Sequence, residues 1–199
     1  MHYIRILKQP RLLPKTASTP LSLGAKVTIT TDLGESFLSS NILLIVEWEW
    51  EDGTVMAGAD REYLWRGRDG MRSFEIVVPV PPLKGKWKRN GEMVNMLVRP
   101  KEDHFAVDSF PKLLTMRSKG DDTGDEGGVV AVRSMAIDIG PGPKADKSLG
   151  GGMAERVFSF GAGDDQRRVR IWEEIGESIA RHIWYAASIR PGTSSSSFN

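Results

Sequence analysis

Apolar and polar residues alternate with a period of two through much of the first half of the chain. In "AKVTITTDLGESFL" the alternation falls on Val27 and Ile29 among threonines, and Gly34 breaks it. β-Branched residues in such spacing suit a pleated, half-buried strand. In "SNILLIVEWEWEDGTV", Ile42, Leu44, Val46, Trp48 and Trp50 share one face; Leu43, Ile45, Glu47, Glu49 and Glu51 share the other. Successive side chains of a strand point to opposite sides, so this spacing predicts tryptophans inward and glutamates outward. "EDG" at 51–53 is a turn signal. "REYLWRGRDGMRSFEIVVPV" supplies a loop with "RDG" at 68–70 and a strand over 73–78. Pro79, Pro81 and Pro82 end that strand, because proline cannot donate to a ladder. "EMVNMLVRP" sets Met93, Asn95 and Leu97 against Val94, Met96 and Val98. "FPKLLTMRS" reads as a short strand or a turn of helix.

Short strands separated by turn signals predict a mainly β protein: an antiparallel β-sandwich or small barrel over residues 1–118. No βαβ spacing occurs there, which argues against a parallel nucleotide-binding sheet in this half.

The pattern then lapses. "KGDDTGDEGGVVAVRSMAIDIGPGPKADKSLGGG" is dense in glycine and small charged residues. Such composition buries too little surface to offset chain entropy, which predicts a flexible linker over 119–154. The apolar patch at 129–139 is its exception, open to pairing as an added strand. Pattern returns in "ERVFSF" and "RRVRIWEE", two strands joined by "GAGDDQ". A helix follows, beginning near Gly176 or Glu177. Ile175, Ile179, Ala180, Ile183, Trp184 and Ala187 line one side; Glu177, Arg181, Tyr185 and Ser188 line the other. "RPG" at 190–192 stops it, and a serine-rich tail over 189–199 is expected to be disordered. The strands and helix over 155–188 thus form a separate C-terminal unit in this reading.

Composition narrows the chemistry. The chain has no cysteine, which removes disulfides, thiolate catalysis and sulfur-based metal sites. Net charge is +1, so bulk electrostatics favour neither nucleic acid nor an anionic membrane. No apolar run approaches the roughly 18 residues of a membrane span. "MHYIRILKQPRLL" lacks the apolar core of a signal peptide. The expected setting is cytoplasmic or nuclear.

Candidate motifs each have a plainer explanation. "FSFGAGDD" has the strand–glycine–acid order of a nucleotide loop, but it runs into a second strand, so a hairpin turn at Gly161, Gly163 and Asp164 accounts for it. "DDTGDEGG" lacks the alternating oxygen ligands of a calcium loop. "KEDHF" places Glu102, Asp103 and His104 side by side, with Asp108 nearby, yet adjacent strand residues face opposite ways and do not share a metal. "KGKWKRNG" surrounds Trp87 with basic residues, a nucleic-acid pattern, but one short loop in a near-neutral chain is weak support and a solvated turn is the better reading. Ser178 and His182 lack an orienting acid and an oxyanion hole. No catalytic or metal-ligating residue is assigned.

The closing stretch "RIWEEIGESIARHIWYAA" resembles the opening segment of the lysine methyltransferase-like family called methyltransferase family 16, its fungal members in particular. "GESIARHIW" at 176–184 is the specific part. "YIRILKQPRLL", "TITTDLGESFL" and "GMRSFEIVVPV" are similar to the region preceding that segment in fungal members. The resemblance spans most of the patterned chain. It implies S-adenosylmethionine as cofactor, protein lysine side chains as substrates, and Trp184 as a residue lying against the cofactor. Two departures matter. Tyr185 stands where the family has aspartate, and the family's cofactor site lies downstream in a parallel sheet, whereas fifteen residues follow Trp184 here. The expectation is an incomplete S-adenosylmethionine-dependent, methyltransferase-like protein, truncated before its cofactor-binding core and inactive as this chain. The alternative is a non-catalytic β-domain that binds a protein partner.

Overall fold

The computed structural model describes residues 1–13, 21–31, 34–50, 53–56, 60–80, 93–118, 128–139, 152–161, 167–175 and 185–187. The first sheet is built from β1 (His2–Leu13), β2 (Ser22–Thr30), β5 (Phe74–Pro79), β7 (Ala106–Val107) and β8 (Val129–Val130), in the order β5-β2-β1-β8-β7. The second contains β3 (Asn41–Trp50), β4 (Arg61–Arg66), β6 (Met93–Pro100), β9 (Val132–Ser134), β11 (Met153–Phe160), β12 (Arg167–Glu174) and β13 (Tyr185–Ala187). Its order is β13-β12-β11-β9-β6-β3-β4, with β10 (Ile137–Asp138) pairing on β6. Neither sheet closes on itself, so the sandwich reading holds and the barrel does not. Pairing is antiparallel except where β8 lies parallel to β1 and β7.

The period-two residues of both sheets meet in one core. Ile42, Leu44, Val46 and Trp48 of β3 are buried, as are Val94, Met96 and Val98 of β6. Ile4 and Ile6 of β1 sit opposite Ile29 and Val27 of β2 and complete the facing layer. Buried indoles need partners for their N–H groups. Trp48 Nε1 donates to Pro79 O of the other sheet at 3.2 Å, and Trp65 Nε1 to Leu38 O at 2.9 Å. Tyr63 Oη donates to Val77 O at 2.7 Å and accepts from Val77 N at 3.0 Å, which caps the open edge of β5.

β1 and β4 are strands that the sequence pattern does not single out. The alternation of β1 is interrupted at Lys8, and its register against β2 shifts on both sides of that residue. β4 has one fully buried side chain, Trp65. "FPKLLTMRS" resolves as a helix, α1 (Phe110–Ser118). Pro111 lies in its first turn, where a missing donor costs nothing.

The expected flexible linker over 119–154 is corrected in its described part. Val129, Val130, Val132, Ile137 and Ile139 are all buried, and β8, β9 and β10 tie into both sheets. Short apolar strands find partners made elsewhere in the chain, which overrides a glycine-rich composition. The expected separate unit over 155–188 is corrected with it: β11 pairs with β9, and β12 with β11, so both strands extend the sheet begun by β3 and β6. The predicted helix lies partly outside the described residues. Tyr185–Ala187, placed on it by the sequence, instead forms β13 against β12. Backbone pairing wins there over helical spacing. No helix among the described residues is long and apolar enough to cross a membrane.

One buried arginine fastens the two sheets. Arg156 of β11 is 0% exposed and donates to Glu173 of β12 from Nε at 3.1 Å and Nη2 at 2.7 Å. Nη2 also reaches Ile4 O of β1 at 2.8 Å, and Nη1 reaches Ala131 O at 2.9 Å. Its guanidinium lies 5.1 Å from the Tyr3 ring centroid. A buried ion costs several kcal/mol to desolvate, and only such a full set of partners offsets that.

Glu173→Gln leaves the cation with a neutral partner and should cost about 3–5 kcal/mol by chemical denaturation. Arg156→Met with Glu173→Leu should cost less than Glu173→Gln alone; equal or larger loss in the double variant would contradict this. Gly67 gives a second test. A Cβ there would lie 2.3 Å from Leu38 O and 2.5 Å from Ser40 O. Gly67→Ala should therefore lose about 1–3 kcal/mol through overpacking, read as a lower denaturation midpoint.

Candidate functional site

β3, β6, β9, β11 and β12 turn a second set of side chains away from the core, and many of these are charged. Cross-strand register sets them side by side: Glu47 opposite Leu97, Leu97 opposite Arg133, Arg133 opposite Glu155. Arg99 grips Glu47 with two bonds, Nε to Oε2 at 2.6 Å and Nη2 to Oε1 at 2.9 Å. Arg133 Nη1 donates to Glu155 Oε2 at 3.1 Å and Nη2 to Trp50 O at 3.0 Å. Arg133 Nε lies 2.8 Å from Glu49 Oε2 but off the line of a hydrogen bond, so that contact is Coulombic. Arg170 Nη1 completes the row at 3.4 Å from Glu155 Oε1.

The glutamates of β3 do face outward, as their spacing implies, but not into open water. Glu47 is 8% exposed. Burial pushes the Glu49 carboxyl above its ordinary range, against the pull of Arg133. Hydrogen bonding to Glu47 raises the Arg99 guanidinium. Above the row lies a recess of about 220 Å3. Its walls include Arg99, Asp108, Arg168 and Arg170; Leu97 and Val157 supply apolar lining.

A second recess, about 290 Å3, is wholly apolar and lined by Leu113 of α1 with Phe158, Phe160, Val169 and Ile171. It adjoins a small cluster in which Val107, Val130 and Phe158 are buried. Burial also shifts a histidine, His2. Burial and the nearby N-terminal ammonium hold its imidazole down at about 4, so it is neutral at pH 7 and a weak base.

The residues singled out by motif are scattered. Trp184, Ser178 and His182 lie outside the described residues, as do Trp87 with its basic neighbours, the acidic loop at 121–127, and Gly163 and Asp164. Gly161 has φ +83° and opens the connection from β11 to its antiparallel neighbour β12, as a hairpin turn requires. Its glycine loop therefore leads into a strand, not the N-terminus of a helix that could cradle a cofactor phosphate or carboxylate. Glu102, Asp103 and His104 stand exposed on a turn, with the His104 ring 4.1 Å from that of Phe105. Among the described residues no group of three or more His, Asp or Glu is placed to hold a metal. The charged row was not foreseen as a unit. Its one sequence signal is "VEWEWE", whose glutamates occupy one side of a strand otherwise deeply apolar.

No family model matches the chain, and no curated protein or solved structure matches it significantly.

Glu49 gives the recess a measurable pH response. Its folded-state carboxyl titrates above the ordinary value of 4.5, so folding favours the protonated form. That contribution is complete below 4.5 and is lost as pH rises through the raised value. Relative to Glu49→Gln, the natural protein should therefore lose stability across that window and stay level above it. Denaturation midpoints of the two proteins from pH 3.5 to 8 check this; a natural protein that gains on the variant with rising pH would refute it.

Proposed function

We propose that this chain is a non-catalytic protein-interaction module that presents the outer face of its large sheet to a partner. The observation carrying this reading is the engagement of the carboxylates beside the 220 Å3 recess. Glu47 is held by Arg99, Glu49 and Glu155 by Arg133, and Asp108 by Lys112 at 3.1 Å. A general acid or base needs a proton-transfer atom open to substrate. Paired carboxylates offer instead a rigid, shaped surface whose side chains are already ordered, so little entropy is lost when a partner docks.

The methyltransferase reading stands beside it as a proposal that rests on the resemblance of "GESIARHIW". In that reading S-adenosylmethionine would supply the methyl group and Trp184 would lie against it; protein lysines would be the substrates. The two readings part on a direct measurement. Incubated with labelled S-adenosylmethionine and a protein mixture, an interaction module transfers no label. Selected from a displayed peptide library and measured by calorimetry, peptides should bind it saturably. Val157→Tyr, which fills the recess with a residue suited to strands, should weaken them at least tenfold while the far-ultraviolet spectrum stays unchanged. Methyl transfer, or peptide binding indifferent to Val157→Tyr, would overturn the proposal.

A further inference from the structure

We propose that the recess on the outer face takes an extended acidic segment of a protein partner, with Arg168 and Arg170 receiving its carboxylates; this rests on the interaction reading above. Four arginines and three acids line the recess, which leaves it a net charge of +1. That surplus is localised. Arg99 and Arg133 are committed to glutamates. Arg170 keeps only a long contact of 3.4 Å and is 44% exposed. Arg168 is exposed and forms no close ion pair among the described residues, although its charge acts on Glu49 across the recess. Its Nη1 lies against the turn at Gly53, where an added Cβ would be 3.3 Å away. The available cationic charge therefore sits on two arginines of one strand, at i and i+2, over the same recess.

Spacing gives the ligand its form. Alternate residues of a strand recur at roughly 6.6 Å, and so do alternate side chains of any extended peptide. An extended segment with acids at every second position thus matches Arg168 and Arg170 one to one. Charge chooses between carboxylate and phosphate. Glu49, Glu155 and Asp108 line the same recess, so two negative charges concentrated on one phosphate are repelled more than the same charge spread over two carboxylates, one at each arginine. Arginine's planar fork suits bidentate capture of a carboxylate.

The probe is the peptide acetyl-Ala-Glu-Ala-Glu-Ala-amide, with its glutamine counterpart and inorganic phosphate as comparisons. Titration into the isotope-labelled chain at low salt should move the amide signals of Val157, Ser159 and Arg168 saturably, and the Nε–H signals of Arg168 and Arg170. Arg168→Gln with Arg170→Gln should weaken binding at least tenfold without disturbing amide signals of the core, since both side chains are exposed. Binding should also weaken as salt rises. Absence of saturable shifts, equal binding of the glutamine peptide, tighter binding of phosphate, or an unaffected double variant would each overturn the inference. If the acidic peptide fails while library-selected peptides still respond to Val157→Tyr, the interaction reading survives and the acidic specificity falls. If both fail, both fall.

Discussion

The guanidinium of Arg156 joins segments that are far apart in the chain. Ile4 lies 152 residues before it and accepts one of its bonds; Glu173 lies 17 residues after it and accepts two. Ala131, in the short run between β8 and β9, accepts another. An uncompensated ion in this position would be worth several kcal/mol against folding, a large part of the net stability of a domain. The arrangement is therefore conditional: β1, the β8–β9 segment, β11 and β12 must all be in place before the charge is satisfied. Apolar burial around Trp48 and Trp65 drives collapse without choosing among registers. A buried ion with directional bonds does choose, because a one-residue slip of β11 would turn Arg156 to the opposite side of the sheet.

The outer face of the same sheet uses charge differently. Its arginines and glutamates come from strands at most two places apart, and Arg133 serves both Glu49 and Glu155, so the carboxylates are met within the sheet instead of by solvent. Glu49 marks where this compensation runs short. Its carboxyl is raised although Arg133 lies 2.8 Å away, so desolvation outweighs attraction there. Arg168 and Arg170 of β12 are exposed and leave cationic charge over. The face thus combines buried, paired charge on β3, β9 and β11 with exposed arginines on β12.

Six strands were legible in the sequence, wholly or in part, because they alternate: β2, β3, β5, β6, β11 and β12 each place apolar residues at every second position. β1 was not, since Lys8 and Pro10 interrupt its period while the register shifts around them absorb the interruption. The strands over 129–138 were legible only as one apolar patch, for another reason. Elements of two or three residues are too short to show a period, and the surrounding glycines dominate the composition. The charged row was invisible as a constellation although every member was in view. Periodicity told which side Glu47 and Glu49 take. It could not tell that Arg99 and Arg133, 52 and 84 residues on, would occupy the neighbouring positions, because partner choice belongs to the sheet order. The helical stripe beginning at Ile175 shows the reverse failure: Tyr185–Ala187 fits a helix by spacing, yet β12 offers it an open edge to pair with.

That pairing bears on what the methyltransferase resemblance implies. A cofactor-binding sheet of the doubly wound kind is parallel, with each strand returning through a helix. β12 has antiparallel neighbours on both sides, β11 and β13, so neither of its edges is free to start such a sheet. A doubly wound sheet of that kind would therefore not begin at β12, whose two edges are already taken by antiparallel partners.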